Sequence, residues 1–272
     1  MLKARVLTAI ALLAALLVCL FYLPALYWNI AVLLAVFVGA KEWAAFARYA
    51  SPLKWVYVLL TVVLMLGLVQ AGSEAASLLF LLASLCWVLL VPLWLGFGWG
   101  TANPFLMGVT GWLVLLPAML AFIQLRATPW LLLALMAVVW LADSAAYFTG
   151  RRFGRHKLAP AISPGKTWEG VLGGLVAVTL YGGLLFRLTA LPHRLFGDGV
   201  VGLILFVAAL WLLTCFSVLG DLFESWMKRQ AGLKDSGSLL PGHGGLLDRI
   251  DALTSTLPLA TLALIMANEL PT

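Results

Sequence analysis

Apolar runs of about bilayer length recur from one end of the chain to the other, separated by short turns. They lie near residues 6–23, 25–40, 55–70, 76–95, 104–122, 129–148, 168–187, 200–219 and 250–268. A helix crossing the hydrocarbon core needs ~20 apolar residues. In lipid the backbone must satisfy its own hydrogen bonds, as a helix does. The pattern therefore predicts nine membrane-spanning helices. Pro24, Ser51-Pro52, Ala71-Gly72-Ser73, Gly96 to Gly100, Thr128-Pro129 and Leu191-Pro192 mark the turns. The short alternating segments of a membrane β-barrel are missing. The expectation is an all-α polytopic membrane protein. Residues 1–122 form an N-terminal scaffold of about five spans. Residues 123–272 form a region of about four spans, which carries the candidate chemistry and polar loops over 149–167 and 220–249.

Charge placement tests the count. With the N-terminus in the cytoplasm, 14 of the 17 basic residues fall on the inner side and only Arg126, Arg187 and Arg194 fall outside. That asymmetry is what the positive-inside rule demands, and one span more or fewer would scramble it. The expected topology is N-terminus cytoplasmic and C-terminus outside, with the polar loops facing the cytoplasm from the inner membrane. The net charge of +6 is spread over several loops, which suits topology, anionic lipids or nucleotide phosphates better than nucleic acid.

Composition agrees. The 272 residues are 64% hydrophobic and 10% charged, against roughly a quarter charged in ordinary globular domains. Mean hydropathy is +1.07. Cys19, Cys86 and Cys215 each sit inside an apolar run and form no paired motif, so they read as small buried hydrophobes. The first apolar run, Val6 to Leu23, exceeds the ~7–15 residue core of a cleaved signal and reads as a retained span. Gly170, Gly173 and Gly174 open the seventh span, where small residues let helices approach closely.

Two polar blocks interrupt this oily background. In the first, Asp143 lies within the cytoplasmic end of the sixth span, and an acid inside a membrane segment is a functional candidate by default. Ser163, Lys166 and Thr167 then stand just before a helix start, a position that favours phosphate. Arg152 and Arg155 read as topology charges. The second block runs from Asp221 to Asp251. Asp221, Glu224, Ser225 and Lys228 share one face if helical, and Asp248 and Asp251 share another at the mouth of the ninth span. Carboxylates converging beside lipid repel one another unless something positive lies between them. Mg²⁺ takes such ligands together with substrate phosphates. Between the clusters, Gly244 and Gly245 allow a tight turn whose amides can face an anion, while Arg229 and Lys234 add positive charge. His243 suits a proton shuttle, a donor to phosphate or a purely structural role.

The run S-x-M-K-R-x4-K-D-x-G-x2-L-P-x-H-G-G-L-x-D-R-I-D, from Ser225 to Asp251, resembles the signature of the phosphatidate cytidylyltransferases, or CDP-diacylglycerol synthases. The stretch around Asp221 and the blocks from Asp143 and Ser163 are similar to that family too. The likeness carried by motifs covers roughly the last half of the chain. It implies a Mg²⁺-dependent condensation of CTP with phosphatidate, giving CDP-diacylglycerol and pyrophosphate. It further implies Asp221 and Asp248 as metal-site residues with Asp251 close by, and a homodimer open to both cytosol and inner leaflet. The expected catalytic set is Asp221, Asp248, Asp251, Lys228 and His243. The phosphate-binding set is Ser163, Lys166, Thr167, Ser225, Arg229, Lys234, Gly244 and Gly245. Metal ligands come from Asp221, Asp248 and Asp251, with Asp143 and Glu224 in reserve and a second cation such as K⁺ able to share the site. An anion transporter would instead line a path across the bilayer with its polar residues. The D-G-x2-A-R pattern of transferases that consume CDP-lipids is not found.

Overall fold

Helix starts coincide with prolines and hydroxyl or amide caps. Proline stands in the first turn of helices beginning at Ser51, Pro104, Pro129 and Leu191, where its missing N–H costs no hydrogen bond. Asn103 caps the second of these, its side chain accepting from the Phe105 and Leu106 amides at 2.9 and 3.2 Å. The computed structural model describes residues 2–100, 103–239 and 244–270. Along the chain it contains α1 (Leu2–Tyr22), α2 (Ala25–Phe46), α3 (Ser51–Gln70), α4 (Gly72–Leu85), α5 (Val91–Phe97), α6 (Pro104–Gln124) and α7 (Pro129–Phe153). A hairpin of β1 (Lys157–Ala159) and β2 (Ser163–Thr167) follows. Then come α8 (Trp168–Leu188), α9 (Leu191–Phe196), α10 (Gly199–Ala231) and α11 (Leu247–Met266). A π-helical turn, Cys86–Leu90, joins α4 to α5 into one apolar rod.

Among the described residues, eight helices are long and apolar enough to cross a membrane. They match the second to ninth predicted spans. The first predicted span coincides with α1.

Two local expectations need correction. The polar stretch 149–167 is not simply a loop: α7 runs to Phe153, and an antiparallel hairpin pairs Lys157 with Thr167 and Ala159 with Ser163. Nor is 220–249 a loop throughout, because α10 continues to Ala231 and ends on Gly232 in the left-handed conformation, φ 74°. The drop in hydropathy near residue 219 marks where the helix leaves apolar surroundings, not where it stops. Nothing after that point breaks a helix until Gly232.

Packing joins both halves of the chain. The main core draws Trp43, Trp87, Met107 and Leu115 from the first half together with Phe223, Met227 and Leu247 from the second. Helix α6 is the most enclosed and α11 follows, whereas α3, α8 and α10 bury only a minor part of their length. The last three therefore turn most of their surface outward. Indole and phenol groups stitch neighbours to α6: Trp28 Nε1 donates to Phe122 O at 3.0 Å, Trp43 Nε1 to Met107 O at 2.8 Å, and Tyr57 Oη to Gly108 O at 3.2 Å. Such bonds hold helices together where lipid supplies no hydrophobic drive. The close approach expected of the α8 glycines is present. A Cβ on Gly170 would stand 2.9 Å from the Ala146 carbonyl of α7, and one on Gly174 would stand 3.1 Å from that of Ala142. At the opposite end of the bundle, Arg194 grips Glu269 through Nε and Nη2 at 2.9 and 2.7 Å. Those bonds hold the Glu269 carboxyl below its ordinary range.

Candidate active site

The end of α7, the hairpin, the start of α8, the polar extension of α10 and the start of α11 converge on one cavity of about 630 Å³. Its wall takes Asp143 and Arg151 from α7, Lys157, Ser163 and Lys166 from the hairpin, Asp221 from α10, and Asp248 and Asp251 from α11. The volume falls within the usual ~300–1,000 Å³ of small-molecule sites, but the lining is unusually charged. Helices α10 and α11 come this close because residue 220 is glycine: a Cβ there would stand 2.7 Å from the Asp251 carbonyl oxygen and from Ser255 Oγ. Because one obstacle is backbone, it cannot swing aside. Gly220→Val is expected to cost roughly 1–3 kcal/mol by overpacking, seen as a lower Tm of the detergent-solubilised protein. An unchanged Tm would show that the two helices separate freely.

Each acid is held differently. Asp221 pairs with Lys166 Nζ at 2.9 Å and accepts from Ser225 Oγ at 3.2 Å. Lys166 Nζ also donates to the Val218 carbonyl at 3.4 Å. Asp248 is the most engaged. Its Oδ1 takes Lys228 Nζ at 2.5 Å, and its Oδ2 accepts the Ser236 amide at 2.8 Å and the Gly245 amide at 2.9 Å, with Ser236 Oγ also at 2.8 Å. Gly244 has φ 80°, and a Cβ there would collide with the Asp248 carboxylate. The glycine pair is therefore shaped around that acid. Lys228 also reaches Glu224 Oε1 at 3.2 Å, behind the cavity wall. Asp251 accepts the Ala252 amide at 2.8 Å. Asp143 is exposed to the cavity, and no hydrogen bond or ion pair to it is seen among the described residues. Asp143, Asp221 and Asp251 lie within electrostatic reach of one another, and Lys166 and Lys228 stand between acids that would otherwise repel.

Most of the residues singled out from sequence meet here. Asp143, Ser163, Lys166, Thr167, Asp221, Asp248 and Asp251 line the cavity. Ser225, Lys228, Gly244 and Gly245 lie behind it, against its acids, and Glu224 pairs with Lys228. The Thr167 hydroxyl is committed elsewhere: it caps α8 by accepting the Gly170 amide at 3.1 Å, and the residue is buried. Arg229 and Lys234 are exposed and do not line the cavity. His243 lies outside the described residues. Arg152 and Arg155 are exposed and stay off the wall.

The donor chemistry suits a hard cation in part. Among the described residues no three His, Cys, Asp or Glu side chains converge tightly enough to hold an ion unaided. Mg²⁺ commonly needs only one or two carboxylates beside substrate phosphates; Asp143, Asp221 and Asp251 offer oxygens to the cavity, while Oδ1 of Asp248 would have to share an ion with Lys228.

Sequence reasoning missed Glu42. It belongs to α2, in the half read as scaffold, yet its side chain reaches α11 and accepts the Leu246 and Leu247 amides, both at 2.9 Å. The predicted second span stops at residue 40, which leaves Glu42 in a turn, whereas α2 runs on to Phe46 and carries it against α11.

Bilayer-length apolar helices, with a cavity of aspartates, lysines and an arginine at one end of the bundle, define a multi-pass membrane protein with a charged site. Comparison with known proteins sharpens that class. The model of the Cytidylyltransferase family matches residues 3–267, and the chain belongs to that family. It is 38% identical to a phosphatidate cytidylyltransferase of Haemophilus influenzae, over 95% of this chain and 96% of the relative. It is 40% identical to one of Pseudomonas aeruginosa, over 95% of each. A third, from Brucella suis, is 39% identical over 84% of this chain and 79% of its own length.

Proposed function

We propose that this protein condenses CTP with phosphatidate in the membrane, releasing CDP-diacylglycerol and pyrophosphate. The observation that carries the reading is that a chain similar along 95% of its length to two phosphatidate cytidylyltransferases brings Lys166 and Asp221, 55 positions apart, to 2.9 Å at one charged cavity.

A phosphate oxygen of phosphatidate attacks the α-phosphorus of CTP. The new P–O bond forms as the bond from that phosphorus to the bridging oxygen breaks, and its electron pair leaves with pyrophosphate. The attacking phosphate is already ionised, so no side chain serves as nucleophile. Positioning and charge stabilisation remain for the protein to supply. Lys166 neutralises phosphate charge, Ser163 orients phosphate oxygens, and Arg151 and Lys157 extend the positive wall, while Ser225 and Lys228 act from behind it by holding Asp221 and Asp248. Arg229 and Lys234 would help gather anions at the mouth. Bound Mg²⁺, with a second cation such as K⁺, would supply Lewis-acid polarisation of the phosphates; Asp221, Asp251 and Asp248 are the residues that would hold it.

The proposal includes nine spans, N-terminus cytoplasmic and C-terminus outside, with the cavity facing the cytoplasm, and a homodimer. Two observations support the topology. Helix α1 has 21 residues, which at about 1.5 Å each is close to the thickness of the hydrocarbon core. The distribution of basic residues fits the same arrangement.

The test is direct. Purified protein with Mg²⁺, phosphatidate and CTP labelled on its α-phosphate is expected to move label into the organic phase and release pyrophosphate. Label that stays in the aqueous phase would refute the activity.

A further inference from the structure

The acid that does most to shape the Asp248 loop comes from the other half of the chain. Glu42 is 6% exposed, and a carboxylate buried that deeply must have its lone pairs satisfied. Its Oε1 accepts the Leu246 amide and its Oε2 the Leu247 amide, two donors at the start of α11 that lack partners within the helix. Oε2 also lies 3.0 Å from Ser236 Oγ, which in turn lies 2.8 Å from Asp248 Oδ2. Ser236 has one hydroxyl hydrogen for these two acceptors, so its donation alternates between them or favours one. Two glycines border the same carboxylate: a Cβ on Gly237 would stand 2.6 Å from Glu42 Oε1, and one on Gly245 would strike it. The loop after α10 and the first turn of α11 are thus moulded on one side chain of α2.

We infer that Glu42 is a positioning residue, acting through Ser236 and the α11 N-terminus to aim Asp248 into the cavity and to fix Gly244 and Gly245 behind it. Glu42 is absent from the cavity wall, so its action on bound substrate is indirect. Where turnover is concerned, this role rests on the cytidylyltransfer reading; the aiming of the loop does not.

Two measurements on Glu42→Gln separate these. The isosteric amide keeps an oxygen for one donor and turns an NH₂ toward another. Hydrogen exchange of the peptides covering residues 236–250 is therefore expected to quicken about tenfold, with the second half of α11 unchanged. In the CTP assay kcat is expected to fall on the order of tenfold while KM for CTP moves less than about threefold, because geometry and not contact is lost. The losses from Glu42→Gln and Ser236→Ala should combine to less than their product, as residues in one network do. Unchanged exchange overturns the inference whatever the activity. Faster exchange with full turnover overturns it too. If the wild-type protein makes no CDP-lipid, the activity proposal fails, while faster exchange still supports the clamp and unchanged exchange still rejects it.

Discussion

Asp248→Asn is expected to lower CTP-dependent turnover at least ~1,000-fold, about 4 kcal/mol of transition-state stabilisation, while the protein still inserts and folds. The Asp248 side chain is only 9% exposed, and its two oxygens meet Lys228 on one side and the Ser236 and Gly245 amides on the other. An asparagine can turn its single oxygen toward one side only. If the oxygen keeps the two amides, the NH₂ faces the Lys228 ammonium, and donor opposes donor. If it keeps Lys228, two backbone donors at the glycine turn lose their acceptor. Either way Lys228 keeps only Glu224 of its two carboxylate partners, and removing one partner of a buried ion pair is costly because the other charge stays behind. The cavity also loses one of its four lining carboxylates. Organic-phase label from CTP measures turnover, and circular dichroism of the purified variant checks the fold. Activity within tenfold of wild type would take Asp248 out of the reacting site.

Chelation is expected to be as damaging. Asp143, Asp221, Asp248 and Asp251 face Arg151, Lys157 and Lys166 across the cavity, so the wall alone carries no surplus of positive charge with which to seat two polyanions. Lys166 and Lys228 are already within ion-pair distance of Asp221 and Asp248. Stripping divalent cations with EDTA should reduce turnover to background, and added Mg²⁺ should restore it, with Ca²⁺ a poor substitute because it prefers longer, looser coordination. Full activity in excess EDTA would mean that side chains by themselves balance the phosphates. Isothermal titration of Mg²⁺ into the protein with CTP present gives an independent readout, expected to show binding that weakens in Asp221→Asn.

Much of this molecule is legible along the chain. Hydrophobic run length sets where helices can span, because a bilayer of fixed thickness accepts little else. The spacing of Asp221, Glu224, Ser225 and Lys228 places them on one helical face, and α10 carries them so. Lys228 and Glu224 accordingly meet at 3.2 Å. The glycines of α8 announce its tight seam with α7, since only a residue without Cβ fits beneath a neighbouring carbonyl.

What the tertiary structure alone decided is which distant groups share a charge. Thr167 looks like a phosphate ligand by position, yet it caps α8, because the hairpin delivers its hydroxyl to the Gly170 amide. Arg229 and Lys234 belong to the same polar stretch as Lys228, yet they face outward. Glu42 stands 206 positions before Asp248 and is bound to it through Ser236. Local periodicity is set by each helix's own backbone and reads directly from residue order. Ion pairs between helices depend on rotation and approach, which the packing of α2, α10 and α11 determines, and those have no signature in any single segment.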